Sequence, residues 1–211
     1  MDKRERLSNL SKQIEICKKC PLYKEAARAV PGEGSSETKI VFIGEAPGFH
    51  EDAQGRPFVG SAGKHLDFLL AKVGLKREEF FITNVVKHRP PENRDPAPME
   101  IAACNGWLEA QLAAISPKVV VTLGRWSMAR YAPGAKISTV HGKPFYTQGV
   151  VVIPMYHPAA ALRSGQMARQ LKEDFLTNQT LFSDPDRAGD LVEDAKETKQ
   201  VSVSDGQGSL F

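Results

Sequence analysis

Four short segments of the chain concentrate side chains able to hydrogen-bond, carry charge or exchange a proton. Gly44-Glu-Ala-Pro-Gly48 sets Glu45 among glycine and proline, and Asn84 opens a polar stretch that runs to Pro96. Gly124-Arg125 offers a guanidinium, and His157-Pro-Ala-Ala160 offers an imidazole. Each has an ordinary reading when taken alone. The glycine and proline at 44–48 suit a tight turn, Glu45 a solvated loop acid, Asn84 a strand-end cap and His157 a satisfied structural histidine. Phe58, between a proline and a valine, suits plain core packing. A further segment, Cys17-Lys-Lys-Cys20, has the spacing of a metal-ligand pair. Three cysteines in a reducing cytoplasm argue against a disulfide framework.

These segments gain meaning from the elements that must position them. Residues 4–16 read as a helix leading to the cysteine pair. Lys39–Gly44 is a short β-branched run ending in glycine, which suits a buried strand. A helix follows over Ala62–Leu75, a strand over Phe80–Val86, a helix over Pro98–Ile115 and a strand over Lys118–Leu123. Val150–Pro154 reads as a fourth strand and Gly165–Leu181 as the closing helix. Strands that alternate with helices and are apolar throughout are buried on both faces. The pattern predicts a three-layer α/β/α body around a mainly parallel four-stranded sheet. Such sheets bind ligands beyond the C-terminal ends of their strands, and the four polar segments all fall there.

Composition bounds the rest. A chain of 211 residues, 41% hydrophobic and 25% charged, can bury one sizeable core. No stretch reaches the ~20 apolar residues of a spanning helix. The charged start, MDKRERLSNL, is unlike a signal peptide, so a cytoplasmic location is expected. A net charge of +3 permits nucleic-acid binding without arguing for it. The acidic, polar final stretch leaves the preceding body more basic than the total suggests. We therefore expect a body over 1–182 and a polar, disordered tail over 183–211.

Taken together, the segments GEAPGFHED (44–52), GRPFVGSAG (55–63), ITNVVKHRPPENRDP (82–96) and YHPAA (156–160) resemble the signature blocks of the family 4 uracil-DNA glycosylases. They occur in the same order and spacing, and the likeness covers roughly residues 10–180. Several blocks in register say far more than any one of them. The resemblance implies a uracil-DNA glycosylase-like fold and removal of uracil from single- and double-stranded DNA, the first step of base excision repair.

It also implies roles for particular residues. Uracil must leave the base stack before its glycosidic bond can be reached. Phe58 resembles the aromatic that stacks on the extruded base. Asn84 can accept from uracil N3–H and donate to O4, a pattern cytosine reverses. Glu45 resembles the carboxylate that positions water and stabilises the cationic sugar, with Ala46 beside it in the substrate site. His157 resembles the histidine that donates to uracil O2 as charge accumulates there. Glu51 matches an acid near the uracil C5 edge, and Asn93 a residue that supports the pocket or the phosphate backbone. Leu162 and Arg163 resemble a minor-groove wedge, and the amides around Ser61 at a helix start can receive a phosphate.

Family members typically bind a [4Fe-4S] cluster through four cysteines, the third in a KCRPP segment. This chain has Lys87-His88-Arg89-Pro90-Pro91 instead. The resemblance therefore makes Cys17, Cys20, His88 and Cys104 the ligands, with structural zinc on a Cys3His set as the alternative. A related group that becomes covalently linked to uracil-DNA also has histidine here. It carries a basic insert with a reactive histidine, and none lies between Asn84 and Cys104, which disfavours covalent trapping. The other alternative is a non-catalytic iron–sulfur protein that senses uracil or abasic sites; joint retention of Glu45, Asn84 and His157 speaks against it. At the C-terminus, Gln207-Gly-Ser-Leu210-Phe211 resembles the bacterial sliding-clamp-binding pentapeptide, with glycine in place of the usual leucine. No membrane partner is expected, and monomeric action would be ordinary.

Overall fold

The computed structural model describes residues 1–193. Strands β1 (Glu33–Gly34), β2 (Ile40–Gly44), β3 (Phe81–Asn84), β4 (Val119–Leu123), β5 (Phe145–Thr147) and β6 (Val150–Met155) form one sheet. Its order is β1-β3-β2-β4-β6-β5. The middle four are parallel, as expected, while β1 and β5 pair antiparallel with β3 and β6. The sheet is therefore mixed. Its two edge strands are only two and three residues long, which leaves little unpaired edge for another chain to extend.

The apolar runs of the central strands divide by alternation. Phe42, Val119, Val121, Val151 and Ile153 face one way, against α3 (Ser61–Lys72), α8 (Gly165–Thr177) and α9 (Gln179–Ser183). Phe42 anchors this layer, edge-on to Phe80 at 5.3 Å and stacked with Phe175 at 6.3 Å. Val41, Ile43, Val120 and Val152 face the other way, against α1 (Lys3–Glu15) and α4 (Pro98–Ile115). Side chains two apart share a face of a strand, so the sheet builds two cores and demands helices on both sides.

The short helices α2 (Phe49–Gln54), α5 (Arg125–Ala129), α6 (Ile137–Val140) and α7 (Pro158–Ala161) lay below the reach of periodicity. Three of them begin within five residues of a parallel strand's end, and they set the polar segments in place. The packed body also passes the boundary expected at residue 182, because Ala188 and Val192 are buried in the same core as Phe175 and Phe182. The clamp-like residues Gln207, Leu210 and Phe211 lie outside the described residues. Among the described residues no helix is long and apolar enough to cross a membrane.

Candidate active site

A cavity of about 630 Å3 opens at the C-terminal ends of the four parallel strands, within the usual range of small-ligand sites. Each strand end supplies part of the wall. Glu45, Ala46 and Glu51 follow β2, Asn84 and Asn93 come from β3 and its loop, Arg125 follows β4, and His157 and Arg163 follow β6. Phe58 completes the wall from the loop before α3. Of the expected substrate and DNA residues, Ser61 and Leu162 are not on it. Ser61 is exposed beside Ala62, which lines the wall, and Leu162 is exposed beside Arg163.

Asn84 is 1% exposed, and its Oδ1 is buried with no hydrogen-bond partner among the described residues. Leaving such an acceptor unpaired costs about 1–3 kcal/mol, so a ligand donor in the cavity would relieve it. Gly44 is what admits this side chain. A Cβ at residue 44 would collide with Asn84 Oδ1 and lie 2.6 Å from the Phe58 ring.

Phe58 is held in a left-handed conformation, φ 51°, which a bulky residue adopts only under constraint. The constraints are visible. Glu51 Oε1 accepts from the amides of Val59 and Gly60, both at 2.8 Å, while its Oε2 accepts from Gly48 N at 3.2 Å. Arg77 donates to the carbonyls of Phe58 and Pro57 and pairs with Glu33 on β1. Gly63 lets α3 pass, since a Cβ there would collide with the Phe58 carbonyl. Glu51 thus spends both oxygens on backbone amides, which gives it a clamping role that the sequence did not suggest.

His157 caps α7, with Nδ1 accepting from Ala159 N at 3.1 Å. Burial pushes its pKa down to about 4, with the Glu51 charge opposing. The ring is therefore neutral near pH 7, and its proton sits on Nε2 because Nδ1 is an acceptor. It stacks on Phe58 with centroids 5.6 Å apart. Glu45 moves the other way. Burial, helped by Asp95 and opposed by Arg125, pushes it up to about 7. Asp95 and Arg125 form an ion pair and both line the cavity. Both segments lie at strand ends, but a pairing across thirty residues leaves no trace in sequence spacing.

The thiols form a second region. Cys104 is buried, Cys17 and Cys20 are half-buried, and Cys104 lies within electrostatic reach of both. Burial pushes the Cys20 and Cys104 thiols up. Trp107 donates its indole N–H to Cys17 Sγ at 3.1 Å. His88 is buried, which holds its pKa down and keeps the ring in the neutral form that ligates metals, but the charge it feels is that of Asp52. Among the described residues no three His, Cys, Asp or Glu side chains gather closely enough to hold a single metal ion. Thiolates and a neutral imidazole are donors that suit structural zinc and iron–sulfur clusters alike.

Comparison with known proteins agrees with this geometry. The family model of the Uracil DNA glycosylase superfamily matches residues 31–179. The chain is 44% identical over 192 residues to a type-4 uracil-DNA glycosylase of Sulfurisphaera tokodaii, covering 86% of this chain and 87% of that one. It is 45% identical over 181 residues to the type-4 enzyme of Archaeoglobus fulgidus, covering 81% and 90%. Against that of Saccharolobus solfataricus it is 46% identical over 182 residues, covering 81% and 84%. With its polar strand ends converging on one cavity and most of its length matched, the chain belongs to the uracil DNA glycosylase superfamily.

Proposed function

We infer that the protein is a monofunctional uracil-DNA glycosylase, hydrolysing the bond between deoxyribose C1′ and uracil N1 to leave an abasic site. The observation that carries this reading is the buried, unpartnered Oδ1 of Asn84 on the cavity wall. Uracil N3–H supplies the missing donor, and the amide nitrogen answers O4. Cytosine offers an acceptor at N3 and a donor at C4, so the same amide rejects it.

The remaining groups divide the reaction. The base leaves the stack and enters the cavity against Phe58. As the glycosidic bond breaks, negative charge grows on the uracil and positive charge on the sugar. Neutral His157 donates from Nε2 to uracil O2. A preset donor of this kind is worth about 3 kcal/mol in a site shielded from water. Glu45, ionised above about pH 7, orients the attacking water and faces the cationic sugar, with Arg125 favouring its charged form. Glu51 acts by holding the Phe58 loop rather than by contact at uracil C5. Asn93 supports the rim, where its Oδ1 accepts from Arg89 at 2.7 Å.

A lyase step would need an amine nucleophile. Lys87 is the lysine whose pKa burial pushes down, to about 7, but it is 1% exposed and donates to Thr83 Oγ1, Asn84 O and Gln111 Oε1. It is sealed behind the pocket, which supports simple hydrolysis.

Cys17, Cys20, His88 and Cys104 are assigned to a [4Fe-4S] cluster that ties the end of α1 to the β3 loop and α4. Its contribution is structural. DNA, single- or double-stranded, is the partner of a monomer working in the cytoplasm, and Gln207, Leu210 and Phe211 offer docking to a sliding clamp. A Leu210→Ala/Phe211→Ala chain should lose clamp binding and keep excision. The function itself is tested on a labelled oligonucleotide with one uracil. Alkali-labile cleavage at uracil and none at a cytosine control is expected, and no cleavage by folded, metal-replete protein would refute the reading.

A further inference from the structure

The mouth of the cavity carries an aromatic ring that the chemistry above leaves unused. Phe49, at the start of α2, is 62% exposed, and it follows Gly48 on the cavity wall. The Arg89 guanidinium lies over its ring at 5.4 Å, and the His50 ring meets it edge-on at 5.5 Å. Arg89 is itself fixed by donating from Nε to Asn93 Oδ1 at 2.7 Å, and Asn93 lines the cavity. A chain of contacts thus runs from the pocket wall through an amide and a guanidinium to an exposed aromatic.

An exposed phenylalanine alone says little. Here it is paired with a positive charge that meets no carboxylate among the described residues. Two neighbouring arginines differ, since Arg94 is bound by Glu100 and Arg125 by Asp95. The combination of an exposed apolar side chain and an unneutralised arginine recurs at Leu162 and Arg163, beyond β6. Phe49 lies beyond β2, and β4 separates these two strands, so the two pairs flank the cavity from different strand ends.

We propose that Phe49 and Arg89 form a stacking subsite for the base next to the extruded uracil on the same DNA strand. This rests on the glycosylase reading. Once one nucleotide is inside the cavity, its neighbour must leave at the mouth, where it meets an open aromatic face. Any base can stack there, because every base has a π face. Arg89, already steadied by Asn93, supplies positive charge for the phosphate between the two nucleotides.

The test is a cycle of protein and DNA changes, read by fluorescence anisotropy. Single-stranded oligonucleotides carry a stable abasic analogue at the target position, with both flanking bases present or with one removed on either side. Phe49→Ala should weaken binding to the intact-flank strand about tenfold, and Phe49→Trp should restore it. Removing one of the two flanking bases should weaken the parent similarly and abolish the difference between parent and Phe49→Ala. Equal binding by parent and Phe49→Ala, or a difference that survives removal of either base, would overturn the proposal. Uracil release by the parent is measured alongside. Its absence would refute the enzymatic reading, while the binding cycle still decides the subsite.

Discussion

The base pocket and the thiol corner both draw on the β3–α4 segment and are built on opposite plans. In the pocket, the fold itself fixes the backbone and rings that surround the base. Phe58 is held in a costly backbone conformation by Glu51 and Arg77, His157 has its proton placed by a cap, and Asn84 Oδ1 is the buried side-chain atom of the wall that has no partner among the described residues. In the thiol corner the side chains are within electrostatic reach but do not close on a single ion. The pocket is preset by the fold, so its chemistry should fail when single atoms change. Under the proposed cluster assignment the corner depends on what it holds, so its loss should register first as stability.

The sharpest break of that contrast is His157→Ala. Uracil release should fall about 10²–10³-fold in single-turnover assays, while stability drops by only about 1 kcal/mol for the lost cap, measured by thermal denaturation. Next comes Gly44→Ala, which drives a methyl group into Asn84 and Phe58. Overpacking of this kind costs about 1–3 kcal/mol, and excision should fall by more than stability does because the base-reading amide is the atom displaced. Asn84→Asp should lower uracil release and narrow the ratio of uracil to cytosine excision.

On the other side, Cys104→Ala should lose bound iron and lower the melting temperature. The uracil-to-cytosine ratio, measured below that temperature, should stay unchanged. An altered ratio would show that the corner tunes the pocket.

The smallest effect concerns pH. Glu45 is ionised only above about 7, because burial and Asp95 disfavour its charge. The parent's kcat/KM should therefore fall as pH drops through that value. Asp95→Asn removes a repelling charge and should move this acid limb to lower pH. Arg125→Gln removes an attracting one and should move it higher.

Much of this was legible in the sequence. The central strands announced themselves because burial on both faces makes them apolar throughout, and the ligand rule for parallel sheets then pointed to the right loops. Glu33–Gly34 and Phe145–Thr147 were not legible, since two or three residues carry no period. The clamp made by Glu51 and the Asp95–Arg125 pair were hidden because they join segments whose closeness exists only after folding. The early end placed on the body has a different cause. Residues 183–193 read as polar by composition, yet Ala188 and Val192, four apart on one helical face, enter the core.

The central claim, that an unpartnered acceptor on Asn84 selects the base, is tested most directly with two oligonucleotides alike except for one methyl group. One carries uracil and the other N3-methyluracil, which lacks the N3–H donor. Uracil should be released at least about 10²-fold faster, and Asn84→Ala should shrink that gap. Equal release of both bases by the parent protein would contradict the account.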